Sequence, residues 1–224
     1  MNIRFCCSAI AMPKLDETTQ RARREHILDA AEHCFAREGF HRTSMQDICR
    51  EAGVSPGAFY LYFSSKEDLI AGICERETTA LAQALASVAE APDFMAALSQ
   101  LGQTYCLEEP REKLRLHLEI NAEAMRNPAI GHTVRAIDNF VARSFERLLS
   151  DAKAKGRINP SADEATIAQI ISILGDGLYL RRALDPEFDG KACMPVILSL
   201  ISSLIGPVAE GAEDGGEALK TDPV

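Results

Sequence analysis

Between residues 42 and 66 the sequence gathers side chains suited to a polyanion. Arg42 and Lys66 are cationic, Thr43, Ser44 and Ser55 carry hydroxyls, and Tyr60 and Tyr62 carry phenols. Pro56, Gly57 and Ala58 between them are small or lack an amide proton. Cations, hydroxyls and phenols meet phosphate oxygens, and a Gly-Ala pair lets a helix start come close to a groove floor. Lys66 stands where a helix begins, so its charge and the helix dipole favour the same anion. Thr43 and Ser44 offer hydroxyls and amides at another helix start. By spacing alone, a short helix with two Tyr and a Phe is as easily a packed helix as a nucleic-acid reader.

These groups work only if the elements beneath them hold them in place. Thr43-Ser44 followed by Gln46 and Asp47 gives the spacing of a capping box, which starts a helix over 44–52 that ends at Gly53. Gly53-Val54-Ser55 is then a sharp corner, since Gly accepts a positive φ. Ser55 is the expected cap of the next helix, with Pro56 at the first position, where its missing N–H costs nothing. That helix is predicted over 56–63. A helix over 17–38 precedes both, with Ile27, Ala30, Ala31, Cys34 and Phe35 at helical spacing and Gly39 at its end. Ile48, Val54, Phe59 and Phe63 can close a small core against Ile27, Ala31 and Phe35. The arrangement is a helix-turn-helix, whose second helix fits a major groove.

Everything downstream also reads as helix, so the fold class is all-α. Ser64-Ser65 cap a fourth helix that reaches about Val88, with Leu69, Ile73, Leu81, Leu85 and Val88 on its inner face. Further helices are predicted over 93–107, 111–125, 128–155, 162–184 and 192–205, with Ser161 and Glu164 as a second capping box. The expected domains are a leader over 1–16, a helix-turn-helix domain over 17–64, a helical domain over 65–207 and an acidic disordered tail over 208–224. Met12 is the expected true start.

The chain has 224 residues and a net charge of -9, an acidic balance that duplex DNA would repel. The acidity is uneven. Residues 13–76 hold nine basic against eleven acidic side chains, and residues 77–224 hold fourteen against twenty-two. A binding head would therefore act through a few placed contacts rather than a broad basic field. The seven Cys show no CxxC or zinc spacing and read as reduced thiols of a cytoplasmic protein. No apolar run is long enough to span a membrane.

The run Thr43-Ser44, Ile48-Cys49, Ala52-Gly53-Val54-Ser55, Gly57, Phe59, Tyr60-Leu61-Tyr62-Phe63, Lys66 and Leu69 closely resembles the N-terminal domain of the TetR family of transcriptional regulators. Ile27-Leu28-Asp29-Ala30-Ala31 and Phe35-Ala36-Arg37-Glu38-Gly39-Phe40 are similar to that family's first helix. Cys49 replaces the usual Ala, and Phe59 a more usual Leu or Ile; both conserve packing. The resemblance covers about residues 20–76.

The resemblance implies a homodimeric regulator whose heads bind a palindromic double-stranded operator, normally to repress. It also implies a C-terminal domain that binds a small-molecule effector and dimerises through 162–184 and 192–205. In those two segments Ile167, Ile170, Ile171, Leu174, Leu178, Val196, Ile197, Leu200, Ile201 and Leu204 exceed what one helical face needs, which points to burial against a partner. The fourth helix would be the lever between sensor and head. Effector candidates are Leu98, Leu101, Tyr105, His117, Asn121, Met125, Phe140, Leu174 and Tyr179, although most of the apolar ones read first as core. The expected effector is apolar or aromatic. Glu123, His132 and Asp176 are further polar candidates.

Two other classes compete. An enzyme would need a P-loop, GxGxxG, GxSxG or HExxH pattern, and the sequence has none. The five His show no metal spacing, and no cofactor is called for. A helix-turn-helix used only for protein contacts would not need Tyr60, Tyr62 and Lys66.

Overall fold

The computed structural model describes residues 16–206. The expectations for a leader, for a start at Met12 and for an acidic tail lie outside the described residues, save that Asp16 is seen as a helix cap. Among the described residues there is no β-strand, as an all-α class requires. The helices are α1 (Glu17–Glu38), α2 (Met45–Glu51), α3 (Pro56–Phe59), α4 (Lys66–Glu90), α5 (Phe94–Gln103), α6 (Arg111–Ala124), α7 (Pro128–Ala154), α8 (Glu164–Leu184) and α9 (Gly190–Ile205). A π-helical turn, Thr104–Glu108, follows α5. The chain forms two compact units, Met1–Leu69 and Ile70–Val224.

In the first unit each helix start is set by a side chain. Asp16 accepts the Thr19 amide at 2.9 Å and starts α1. Ser44 and Asp47 form a reciprocal capping box at α2, and Ser55 accepts the Ala58 amide at 3.3 Å with Pro56 in the first turn of α3. Gly39 ends α1 at φ 84° and Gly53 makes the corner at φ 61°, both in the left-handed region that favours glycine. Ile27, Leu28, Ala31 and Phe35 of α1 are buried, as are Phe40, Ile48, Ala52, Phe59, Phe63 and Leu69. Val54 is only half-buried.

The third helix is shorter than 56–63. The Tyr60 amide still donates to the Pro56 carbonyl at 3.0 Å, but the Tyr62 amide folds onto Phe59 O at 2.9 Å, a three-residue step. The Phe63 amide then also takes Phe59 O, at 3.2 Å. Residues 60–62 are a turn, and it keeps Phe59 and Phe63 both in the core, with ring centroids 6.5 Å apart.

The second unit is built on one apolar core. It gathers Leu85 and Val88 of α4, Phe94, Leu98 and Leu101 of α5, Phe145, Leu148 and Leu149 of α7, Ile167 of α8, and Ile201 and Ile205 of α9. Arg157 closes the end of α4: its guanidinium donates to the carbonyls of Ala89 at 3.1 Å, Ala91, and Pro92 at 2.9 Å, and stacks 5.3 Å from the Phe94 ring.

Three further boundaries differ from the sequence expectation, two through distant contacts and one through a local cap. The single helix over 93–107 gives way to a π turn at Thr104, where Arg182 of α8 donates to Cys106 O at 2.7 Å and Glu109 O at 2.9 Å. The capping box of Ser161 and Glu164 does not form. Ser161 is drawn to the end of α9, its amide donating to Leu204 O at 2.9 Å, and Asp163 caps α8 by accepting the Thr166 amide at 2.9 Å. Helix α9 starts two residues early because Asp189 accepts the amides of Lys191 and Ala192.

Candidate functional site

In the first unit the corner and the capped start of α3 turn one face outward. Arg42, Ser44, Ser55, Pro56, Gly57 and Tyr60 are exposed, and Ala58, Tyr62 and Lys66 are half-buried. A Cβ built on Gly57 would meet nothing within 4 Å, so this face is bare of side chains where α3 begins. Leu61 protrudes beside the two tyrosines, 84% exposed. Sequence reasoning passed over Leu61; its signal was an apolar residue that breaks the Phe59–Phe63 spacing.

Several of these side chains have internal partners. Arg42 Nε donates to Glu38 O at 2.7 Å, which satisfies a carbonyl at the end of α1. Lys66 Nζ donates to Phe40 O at 2.6 Å and lies 4.3 Å over the Phe40 ring, a cation–π contact. An ammonium has three donors, so this bond does not bar a phosphate. Ser55 accepts with its lone pair and keeps its hydroxyl proton to give away.

Thr43 is a correction. It is 2% exposed, and its hydroxyl points to the carbonyls of Gly39 at 2.8 Å and Cys34 at 3.1 Å. The hydroxyl clamps the α1–α2 turn and is not presented to solvent. The Ser44 amide is not open either, because it donates to Asp47 Oδ2 at 3.0 Å. The hydrogen bonds from the Ser44 hydroxyl and amide hold the Asp47 carboxyl below the usual range, and those from Ser64 do the same for Asp68.

The nine effector candidates of the second unit do not come together as one set. Leu98 and Leu101 lie in the apolar core, and Tyr105 and Leu174 pack against it. His117 and Tyr179 meet edge to face with ring centroids 5.4 Å apart. Asn121 is half-buried on α6. Met125 is a correction: it caps the C-terminus of α6, where the chain turns toward α7, and is 83% exposed. Phe140 is also an exposed residue, on α7. Of the other polar candidates, Glu123 is buried and paired with Arg126 at 3.1 Å, and His132 is exposed.

The groups that do gather are polar. Burial pushes the Tyr179 phenol and the Cys106 thiol up. Asp138 and Asp176 are exposed, yet partial desolvation raises both carboxyls, opposed in each by the nearby charge of His117. Alongside, Lys113 bridges Glu77 of α4 at 3.0 Å and Glu109 at 3.2 Å. Burial works against the Lys113 charge, but the two carboxylates outweigh it and hold its ammonium above the usual range. Among the described residues no group of three His, Cys, Asp or Glu is placed to hold a metal ion. No described helix is long and apolar enough to cross a membrane.

Helices α8 and α9 each leave apolar side chains on the surface. Ile173, Leu180 and Leu184 recur on α8 at seven- and four-residue steps, and Val196 and Leu200 on α9 at a four-residue step. Of the apolar positions counted on these two helices, Ile167, Leu178 and Ile201 are buried within the chain.

Residues 27–73 match the profile of bacterial regulatory proteins of the tetR family, and residues 95–206 that of the C-terminal part of BetI-type transcriptional repressors. The chain belongs to the TetR family. Its relatives there include the uncharacterized HTH-type transcriptional regulator YfiR of Bacillus subtilis, 33% identical over 74% of this chain and 82% of that one. The HTH-type transcriptional regulator UidR of Escherichia coli K12 is 29% identical over 72% of this chain and 82% of its own length. Among solved structures, Salmonella enterica GusR superposes with a TM-score of 0.68 at 28% identity, covering 86% of this chain and 98% of that one. FadR from Bacillus subtilis, in complex with stearoyl-CoA, shares the fold at 22% identity with a TM-score of 0.68, covering 81% and 98%. In TetR-family terms the first unit is the helix-turn-helix, and the chain is a DNA-binding transcriptional regulator.

Proposed function

We propose that the chain is a homodimeric repressor that binds a palindromic operator and is released by a small effector. The observation that carries this reading is the outward face of 42–66, where Arg42, Ser44, Ser55, Pro56, Gly57, Ala58, Tyr60, Tyr62 and Lys66 surround a bare, capped helix start. Tyr60, Tyr62, Arg42 and Lys66 hold phosphates, and the Gly57-Ala58 edge faces the bases. Thr43 serves only to fix the turn beneath them. A duplex partner places the protein in the cytoplasm.

The apolar stripes of α8 and α9 support dimerisation through these two helices, since exposed Ile, Leu and Val at helical spacing are costly in water. Two heads would then meet grooves about 34–36 Å apart, or a multiple of that. The effector is a small, mainly apolar or aromatic molecule held around Tyr105, His117, Asn121, Leu174 and Tyr179. It weakens DNA binding only by preferring the state in which the heads are misplaced. Helix α4 includes residues of both units, which supports its role as the lever.

The test is selection of binding duplexes from a random-sequence library by the full-length protein, followed by a hydroxyl-radical footprint. Two protected half-sites related by a two-fold axis are expected. Failure to enrich any sequence, or a single unpaired protected patch, overturns the reading.

A further inference from the structure

We propose that Leu61 reads the 5-methyl group of a thymine in each operator half-site. The inference rests on the DNA-reading role proposed above and goes beyond it to a specificity contact. Leu61 is the most exposed large apolar side chain among the described residues, at 84%. Gly57, Leu61 and Ser64, at four- and three-residue steps, are all exposed, while Phe59 and Phe63 turn the other way into the core. Leu61 lies four residues beyond Gly57, in the turn that the amide bonds of Tyr60 to Pro56 O and of Tyr62 and Phe63 to Phe59 O close just after α3.

The chemistry then narrows the partner. Leucine offers no hydrogen bond, so it gains nothing from a phosphate or from a donor or acceptor on a base edge. The apolar feature that a major groove presents is the thymine methyl. Gly57 has no side chain to hold the segment away from the groove, and Tyr60 and Tyr62 on either side of Leu61 can fix its register through phosphates. Exposure of a leucine in the free protein is unfavourable, and contact with a methyl returns part of that cost on binding.

The probe is the duplex enriched from a random library by the full-length protein, with each symmetry-related thymine pair replaced in turn by deoxyuridine. That change removes the methyl and nothing else. Affinity is read for the wild type, Leu61→Ala and Leu61→Met. One thymine pair should weaken the wild type about four-fold per methyl, so about fifteen-fold over two half-sites. Leu61→Ala should bind the unmodified duplex about that much more weakly and be indifferent to deoxyuridine at that pair. Leu61→Met, which keeps an apolar reach, should retain the sensitivity. Deoxyuridine effects of equal size in wild type and Leu61→Ala at every position overturn the inference, as does unchanged affinity of Leu61→Ala. Either result leaves DNA reading itself intact, whereas failure to enrich any duplex removes both.

Discussion

Lys66→Met separates a phosphate contact from a structural one, because the two roles leave different traces. Methionine keeps much of the aliphatic stem and removes the charge. In the free protein the ammonium donates to Phe40 O at 2.6 Å and stacks over the Phe40 ring at 4.3 Å. A charge-assisted bond contributes about 1.5–3 kcal/mol and a cation–π contact about 0.5–1. The side chain is half-buried, so solvent screening discounts both, and about 2 kcal/mol is the expected loss. At a urea dependence of about 2 kcal/mol/M, the unfolding midpoint should fall by about 1 M. A lost phosphate contact reads elsewhere: the slope of log affinity against log salt should shrink by about 0.9 per protomer, or about 1.8 for a dimer, whatever the operator sequence. Lys66→Arg should restore the slope. Fluorescence anisotropy across a salt series gives the slope, and urea unfolding by circular dichroism gives the midpoint. A lowered midpoint with an unchanged slope would show that Lys66 only braces Phe40, and the phosphate assignment would be lost.

Three other perturbations test separate parts of the argument. Ile173→Glu combined with Val196→Glu should weaken dimerisation more than about a hundredfold, by burying charge in an apolar contact, and should give monomers by sedimentation velocity; a persisting dimer would place the interface elsewhere. Arg182→Met should cost about 2–4 kcal/mol by unpinning Cys106 O and Glu109 O, with faster amide exchange confined to the π turn and its flanks; unchanged exchange there would refute the clamp. Asp47 and Asp163 are held below the usual carboxylate range, first by side-chain bonds from Ser44 and Thr166 respectively. Their stabilisation is therefore present above about pH 4, the unfolded value, and is lost as pH falls through the lower folded values. Asp47→Asn with Asp163→Asn should flatten acid unfolding between pH 5 and 2, and an identical acid profile would remove that linkage.

The helix starts of the first unit were legible in the sequence because cap and partner lie within one turn, whereas at α9 the local cap Asp189 was passed over. Ser44 with Asp47, Ser55 with Pro56, and the glycines at 39 and 53 needed no distant contact. Boundaries set by distant contacts were not legible. Ser161 and Asp163 are both adequate caps, and Leu204, forty-three residues away, decides between them by taking the Ser161 hydroxyl. The stop of α3 was hidden because Phe59 and Phe63 stand at a helical step even though the backbone between them tightens into a turn. Thr43 shows the limit for the candidate site. Residue type identified a hydroxyl near the binding face, but only the path from Gly39 to Ser44 says that it points inward. In the second unit the apolar candidates were legible as apolar and no further, since core and pocket draw on the same residues.

The net charge of -9 looks at odds with a DNA partner, and the caps sharpen the difficulty. At α2 and α4, the helix starts nearest the proposed face, an aspartate already stands: Asp47 accepts from the Ser44 amide at 3.0 Å, and Asp68 from the Ser64 amide at 3.1 Å. Both carboxylates stay ionised near neutrality, so a phosphate approaching either start meets a charge of its own sign. The start of α3 differs, for its cap is the neutral Ser55 and its first turn holds no acid. The helix starts of α2 and α4 are therefore disfavoured as anion sites relative to that of α3. In the reading proposed above, phosphate recognition would rest on the side chains of Arg42, Tyr60, Tyr62 and Lys66, with the Ser55 hydroxyl beside them. Binding of that kind has a shallow salt dependence and little non-specific affinity. On that reading, discrimination among operators would come from short-range contacts on the face proposed to carry Gly57 and Leu61.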